Sequence, residues 1–184
     1  MSASADPHAA SPRRGHILFA IVFLVCLAGD LVSKEVVFDR LAETREHDLI
    51  EGVFKFKLVR NPGMMWGMAQ DVSAMWWVII RGGVFLGLLW MYFTLDFRTR
   101  LTQIAFGLVG AGALGNITDN IFQGEHLFEG EVRDFLHFYW FEFPTFNVAD
   151  SCICVGAPLL LLVLWNHDRE ARRQADLEDA SPAS

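Results

Sequence analysis

The sequence predicts a membrane α-helical protein, four transmembrane helices with a small extracytoplasmic β-sheet element. Three observations predict it. The 184-residue chain is 53% hydrophobic with a mean hydropathy of +0.30, too apolar for a soluble domain of this size. Four apolar runs each come close to the ~20 residues a helix needs to cross a bilayer. Between the first two runs, GVFKFKLVRNPG alternates Phe and Lys with the period of two that marks a strand.

Residues 1–15 (MSASADPHAASPRRG) are rich in Ser, Ala and Pro and read as a disordered tail ending in two arginines. The first apolar run opens at Ile17 (ILFAIVFLVCLAG), is interrupted by Asp30 and Lys34, and resumes as VVF. An outer segment, 38–74, holds the FKFKL strand, closed by the turn Asn61-Pro62-Gly63. The second run is residues 75–95 and the third 101–122. Gly107, Gly110, Gly112 and Gly115 in the third run are the small residues that let helices pack closely in lipid. A second outer segment, 123–145, carries FYWFEF, suited to the aromatic belt of a membrane interface. The fourth run goes from Phe146 to Trp165. Residues 16–166 are therefore expected to form one membrane domain, followed by a tail, 167–184, whose end DLEDASPAS reads as solvated and disordered.

Arginines give the orientation. Arg13 and Arg14 precede the first helix, Arg98 and Arg100 lie in the short link between the second and third, and Arg169, Arg172 and Arg173 follow the fourth. By the positive-inside rule these regions, and both termini, are cytoplasmic. Arg40, Arg45, Lys55, Lys57 and Arg60 in the segment 38–74 run against the rule, but a long folded segment weighs less.

Other classes drop out. A net charge of −7 gives no nucleic-acid footprint. Cys26, Cys152 and Cys154 are odd in number and lie in apolar runs, so neither a disulfide framework nor a metal site is expected. His126 and His137 in the second outer segment lack helix-borne metal ligands beside them. No cofactor is expected. A cleaved signal peptide is disfavoured because Val25 stands before Cys26 where a small residue is wanted, and three further apolar runs follow.

Polar residues recur at what the topology makes the outer ends of the helices. Asp30 and Lys34 are four apart on one helical face. Asn61 and Gly63 precede the return to the membrane; Asn116 and Asp119 share a face of the third helix; Asn147 and Asp150 open the fourth; Asp134 hangs in the segment above. Each has a structural alternative: an ion pair for Asp30 and Lys34, a turn for Asn61, helix–helix bonding for Asn116, a helix-end polar group for Asp119, a cap for Asn147, a first-turn acid for Asp150, an exposed loop acid for Asp134. Their convergence at one depth points to function, since an ionisable group in a membrane protein is costly when unpaired. Two facing aspartates share one proton: the ionised one takes a proton from water, and the protonated one donates to the bond under attack. That is the chemistry of an aspartic protease.

NPGMMWGM, GALGNITDN, VRDFLHFYW and FNVADS, in that order, resemble lipoprotein signal peptidase, the signal peptidase II family, from about Asp30 to about Gly156. The resemblance implies an aspartic endopeptidase of the bacterial inner membrane. Such an enzyme removes the signal peptide from a prolipoprotein, cutting before a lipid-modified cysteine. It implies Asp134 and Asp150 as the catalytic pair. Asp30 and Lys34 would support the site, and Asn61, Asn116 and Asn147 would line it, with Gly63 and Asp119 beside them. The expected partners are the membrane prolipoprotein and the bilayer, with the protein a monomer. The chain departs from the family at three places. The pattern G-N-x-x-D-R reads GNITDN, with Asn120 in place of arginine, and Arg133 is the candidate to compensate. N-x-G-A-A-F reads NPGMMW, with Met64, Met65 and Trp66 bulkier. EHLFEGE lengthens the approach to Asp134. Two competing classes remain: a small transporter or proton-relay subunit using intramembrane Asp and Lys, and an assembly protein in which the aspartates only pair.

Overall fold

The computed structural model describes residues 12–62, 74–94 and 99–179, with the side chains of 12–15, 74, 175, 178 and 179 excepted. Its elements run α1 (Pro12–Arg40), β1 (Glu46–Ile50), β2 (Phe54–Asn61), α2 (Ala74–Thr94), α3 (Arg100–Phe122), β3 (Val132–Phe138) and α4 (Val148–Asp179). All four helices are long and apolar enough to span a membrane. Gly63 and the Met64-Met65-Trp66 stretch lie outside the described residues.

α3 is the central helix, packed against α1, α4 and α2, and it alone buries most of its apolar window; α1 and α2 leave theirs open, as lipid-facing helices do. Small residues make that burial possible. A Cβ at Gly112 would collide with the carbonyl oxygen of Ala149 and lie 2.7 Å from Cγ1 of Ile153, and one at Gly115 would strike the Asp30 carboxylate. α1 and α4 thus approach the backbone of α3 at its glycines. At the other end Tyr92, Phe106, Ala105 and Leu160 form the apolar core, with Phe19 stacked on Tyr92 at 4.3 Å between centroids.

The expected sheet is present and larger than the one strand predicted. It is antiparallel in the order β1-β2-β3. β3 falls where the sequence predicts a loop, because VRDFLHF is too short and too mixed to announce a strand without its partner β2. Trp140, Phe141 and Phe143 are exposed, as an interfacial belt requires.

Both ends of the helical region extend past the expected limits. α1 begins at Pro12, where proline's missing N–H costs nothing because the first turn has no partner for it. α4 continues through NHDREARRQADLED to Asp179, so the expectation of disorder from Asp176 is corrected for residues 176–179. This polar stretch is rich in good helix formers, and Arg172 pairs with Asp168 one turn back at 2.9 Å.

Candidate active site

Strand pairing carries Asp134 into the protein. β3 lies along β2 with Val59 opposite Asp134, and Phe146 then pairs back onto β3. The Leu136 N–H donates to the Phe146 carbonyl at 2.8 Å, and the Phe146 N–H returns the bond at 3.0 Å. That bridge sets Asn147, the next residue, beside Asp134. The expectation of an acid hanging in a loop is corrected: Asp134 is on a strand and only 1% exposed.

α4 starts at this point. Asn147 Oδ1 accepts from the Asp150 N–H at 2.8 Å, and Asp150 Oδ2 accepts from the Asn147 N–H at 3.2 Å, a reciprocal capping box. The Asn147 amide also donates to Asp134 Oδ1 at 2.7 Å and to Asn116 Oδ1 at 3.1 Å. Asn116 Nδ2 donates to Asp150 Oδ1 at 2.8 Å, and Asn61 Nδ2 to Asp134 Oδ2 at 2.9 Å. Three asparagines from β2, α3 and the α4 cap therefore hold both carboxylates. Burial, and next the negative charge of Asp150, push the Asp134 carboxyl from its ordinary 3.8 up to about 7, against the lowering effect of the Asn61 and Asn147 amides.

Asp30, Lys34 and Asp119 form a second, fully buried cluster. Lys34 Nζ lies 2.7 Å from Asp30 and 3.1 Å from Asp119, and donates to Asn116 Oδ1 at 3.0 Å. Asp30 Oδ1 accepts the Ala149 N–H at 2.8 Å, satisfying a first-turn donor of α4 that its own helix leaves open. Asp119 does not join the aspartate pair; it binds Lys34 and Arg133. Arg133 donates to Asp119 from Nε (3.2 Å), Nη2 (3.0 Å) and its backbone N–H (2.9 Å), and from Nη1 to Glu35 at 2.7 Å. Asn116 links the two clusters, touching Lys34, Asn147 and Asp150.

Arg133, the candidate for a compensating charge, is bound to Asp119 and Glu35. The arginine that reaches Asn120 is Arg81 of α2, through a hydrogen bond from Nη1 to Oδ1. Sequence reasoning missed Arg81. The signal available was one cation inside MWWVIIRGGVFLGLLWMYFTL with no acid on its own helix.

A family model described as "Signal peptidase (SPase) II" matches residues 22–166. The lipoprotein signal peptidase of Symbiobacterium thermophilum is 36% identical over 150 residues, covering 80% of this chain and 94% of that protein. That of Rhodococcus jostii is 37% identical over 164 residues, covering 88% and 79%. A solved bacterial membrane enzyme superposes with a TM-score of 0.65 over 95% of each chain, at 23% identity, and shares the fold.

Proposed function

The chain belongs to the signal peptidase II family of membrane proteases, and from that premise we propose that it is an aspartic endopeptidase that cuts prolipoproteins before their lipid-modified cysteine. The observation that carries this reading is the joint hold of Asn147 on Asp134 and Asp150, with the Asp134 carboxyl pushed up to about 7. Asp134 keeps the shared proton near neutrality and acts as general acid toward the scissile amide nitrogen. Asp150, more open to solvent, takes a proton from the attacking water. Asn61 and Asn116 hold the two carboxylates at fixed orientation while the proton moves between substrate and enzyme.

The remaining assignments belong to the same proposal. Residues 16–166 are one catalytic membrane domain of a monomeric inner-membrane protein. Both termini are cytoplasmic, the sheet lies on the outer membrane surface, and the lipid of the substrate cysteine stays in the bilayer. Asp30, Lys34 and Asp119 support the site by fixing α1, α3 and the start of α4 together. The stretch of α3 from Ile104 to Gly115 has no polar side chain, which supports a one-sided site over a proton or solute path.

Cleavage of a diacylglyceryl-modified prolipoprotein by the purified protein in detergent tests the proposal. Wild type cuts, while Asp134→Asn and Asp150→Asn, each folded, do not. Equal cleavage by all three sinks the two-aspartate reading.

A further inference from the structure

We infer that Arg81 of α2 supplies the aspartate pair with the positive charge that Asn120 cannot, and that Asn120 is the clamp that aims it. The inference rests on the two-aspartate reading above. Asn120 is fully buried, and its amide is oriented by the loop beneath it: Nδ2 donates to the Gly130 carbonyl at 2.9 Å, and the Gly130 N–H donates to the Asn120 carbonyl at 3.0 Å. With its nitrogen spent on a carbonyl, Asn120 presents its oxygen to a donor, and Arg81 Nη1 is that donor. Asn116, one turn before Asn120 on α3, binds Asp150, so Asn120 holds the guanidinium at the stretch of α3 that meets the pair. Asp150 and then Asp134 are the carboxylates that act on its charge.

The charges around the pair leave room for this role. From α1 come Asp30, Lys34 and Glu35; from α3, Asp119; from β3, Arg133 and Asp134; from α4, Asp150. Lys34 is committed to Asp30 and Asp119, and Arg133 to Asp119 and Glu35. Leaving Arg81 aside, two cations among the described residues face these five carboxylates, and of the two Lys34 also acts on Asp134. Among the described residues Arg81 forms no direct ion pair, so its field is not cancelled at close range by an acid outside the pair. A guanidinium inside a spanning helix is costly when it has no partner. Trp77, one turn back, covers its face at 5.6 Å. Arg81 is a positioning residue: it touches Asn120, and its positive charge favours negative charge on the pair.

The test is the rate–pH profile of Arg81→Gln, Arg81→Lys and the exchange Arg81→Gln/Asn120→Arg, beside wild type and Asp134→Asn. Arg81→Gln loses about 10- to 100-fold in kcat near neutrality with KM little changed, and its acid limb moves to higher pH because the pair ionises less readily. Arg81→Lys keeps more activity than Arg81→Gln, and the exchange recovers most of the loss by restoring the charge from α3. A wild-type rate and acid limb in Arg81→Gln overturns the inference. So does equal loss in the Gln and Lys variants, or an exchange variant no better than Arg81→Gln. If Asp134→Asn itself cuts at the wild-type rate, the two-aspartate reading falls and takes the inference with it; if Asp134→Asn is inert while Arg81→Gln keeps the wild-type rate and acid limb, Arg81 alone is wrong.

Discussion

Asn147 and Asp150 cap one another, side chain to backbone in both directions, at 2.8 and 3.2 Å. The residue that starts α4 is also the residue that grips Asp134. Helix stability and site geometry therefore meet in one amide, and chemistry can separate them. A serine at 147 still offers an oxygen to the Asp150 N–H but has no amide for Asp134. Asn147→Ser keeps the cap, because Ser and Asn cap about equally well, but leaves Asp134 and Asn116 without their amide donor; it is expected to cost about 1–3 kcal/mol and to lose most cleavage. Asn147→Ala loses the cap as well, for about 1 kcal/mol more. Thermal melts beside cleavage rates decide it; an active Asn147→Ser removes the amide from the site.

The raised carboxyl of Asp134 gives a pH dependence with a definite sign. Its folded value, about 7, lies above the ordinary 3.8, so the folded protein holds a proton that the unfolded chain has released. The stability linked to that proton is full below pH ~4 and is lost as pH rises through about 7, at up to about 1.4 kcal/mol per pH unit. Melting temperatures from pH 5 to 8 should fall more steeply for wild type than for Asp134→Asn. Cleavage should fade over the same interval as the general acid loses its proton. Parallel melting curves in the two proteins would contradict the assignment.

Lys34 sits between Asp30 and Asp119, and each of those three side chains is 0% exposed; Asp119 is shared with Arg133, while Asp30 has Lys34 as its cation among the described residues. Lys34→Met leaves two carboxylates without it and is expected to cost about 3–5 kcal/mol, enough to prevent recovery of folded protein from detergent. Adding Asp30→Asn should restore part of the yield, because the surviving polar groups then carry less uncompensated charge. An abundant, stable Lys34→Met single variant would show that the cluster does not hold α1 to α3.

Glycine positions make a paired control. Gly112→Ala drives a methyl into the Ala149 carbonyl, so α4 must retreat from α3 and take Asn147 and Asp150 with it. We expect about 1–3 kcal/mol of destabilisation and loss of cleavage. Gly87→Ala, on α2, meets nothing within 4 Å and should be neutral or slightly stabilising. Equal effects from the two would mean that the α3–α4 approach is not set by the small residue.

The fold was legible in the sequence where one signal dominates. Apolar length announced the four helices, and the FKFKL alternation announced β2. β3 was not legible, because strand character in VRDFLHF comes from pairing with Val59 and Arg60, far away in the chain. The polar continuation of α4 was not legible either: its helicity comes from residue propensity and the Asp168–Arg172 pair, with no apolar stripe to mark it. Within the site, the spacing of Asp30 to Lys34 and of Asn147 to Asp150 told which groups share a helix face. It did not tell which cluster each acid joins. Asp119 was grouped with Asn116 by spacing, yet Asp119 turns to Lys34 and Arg133 while Asn116 reaches Asp150. Arg81 stayed hidden because its partner Asn120 lies on another helix, and no local pattern links them.

Chain order also sets when the Leu136–Phe146 bridge, and with it the site, can form. Asp134, Asn147 and Asp150 leave the ribosome after α1, α2 and α3, and Asp134 has no Asn147 amide until α4 begins to insert. On the proposed assignment, a nascent chain that has threaded its first three helices carries no working acid pair. Proteolytic competence arrives with the last helix, in a single step, so a half-made copy in the translocation machinery cannot cut its neighbours. Chains truncated before Val148 lack Asp150 and α4 and are expected to show no cleavage.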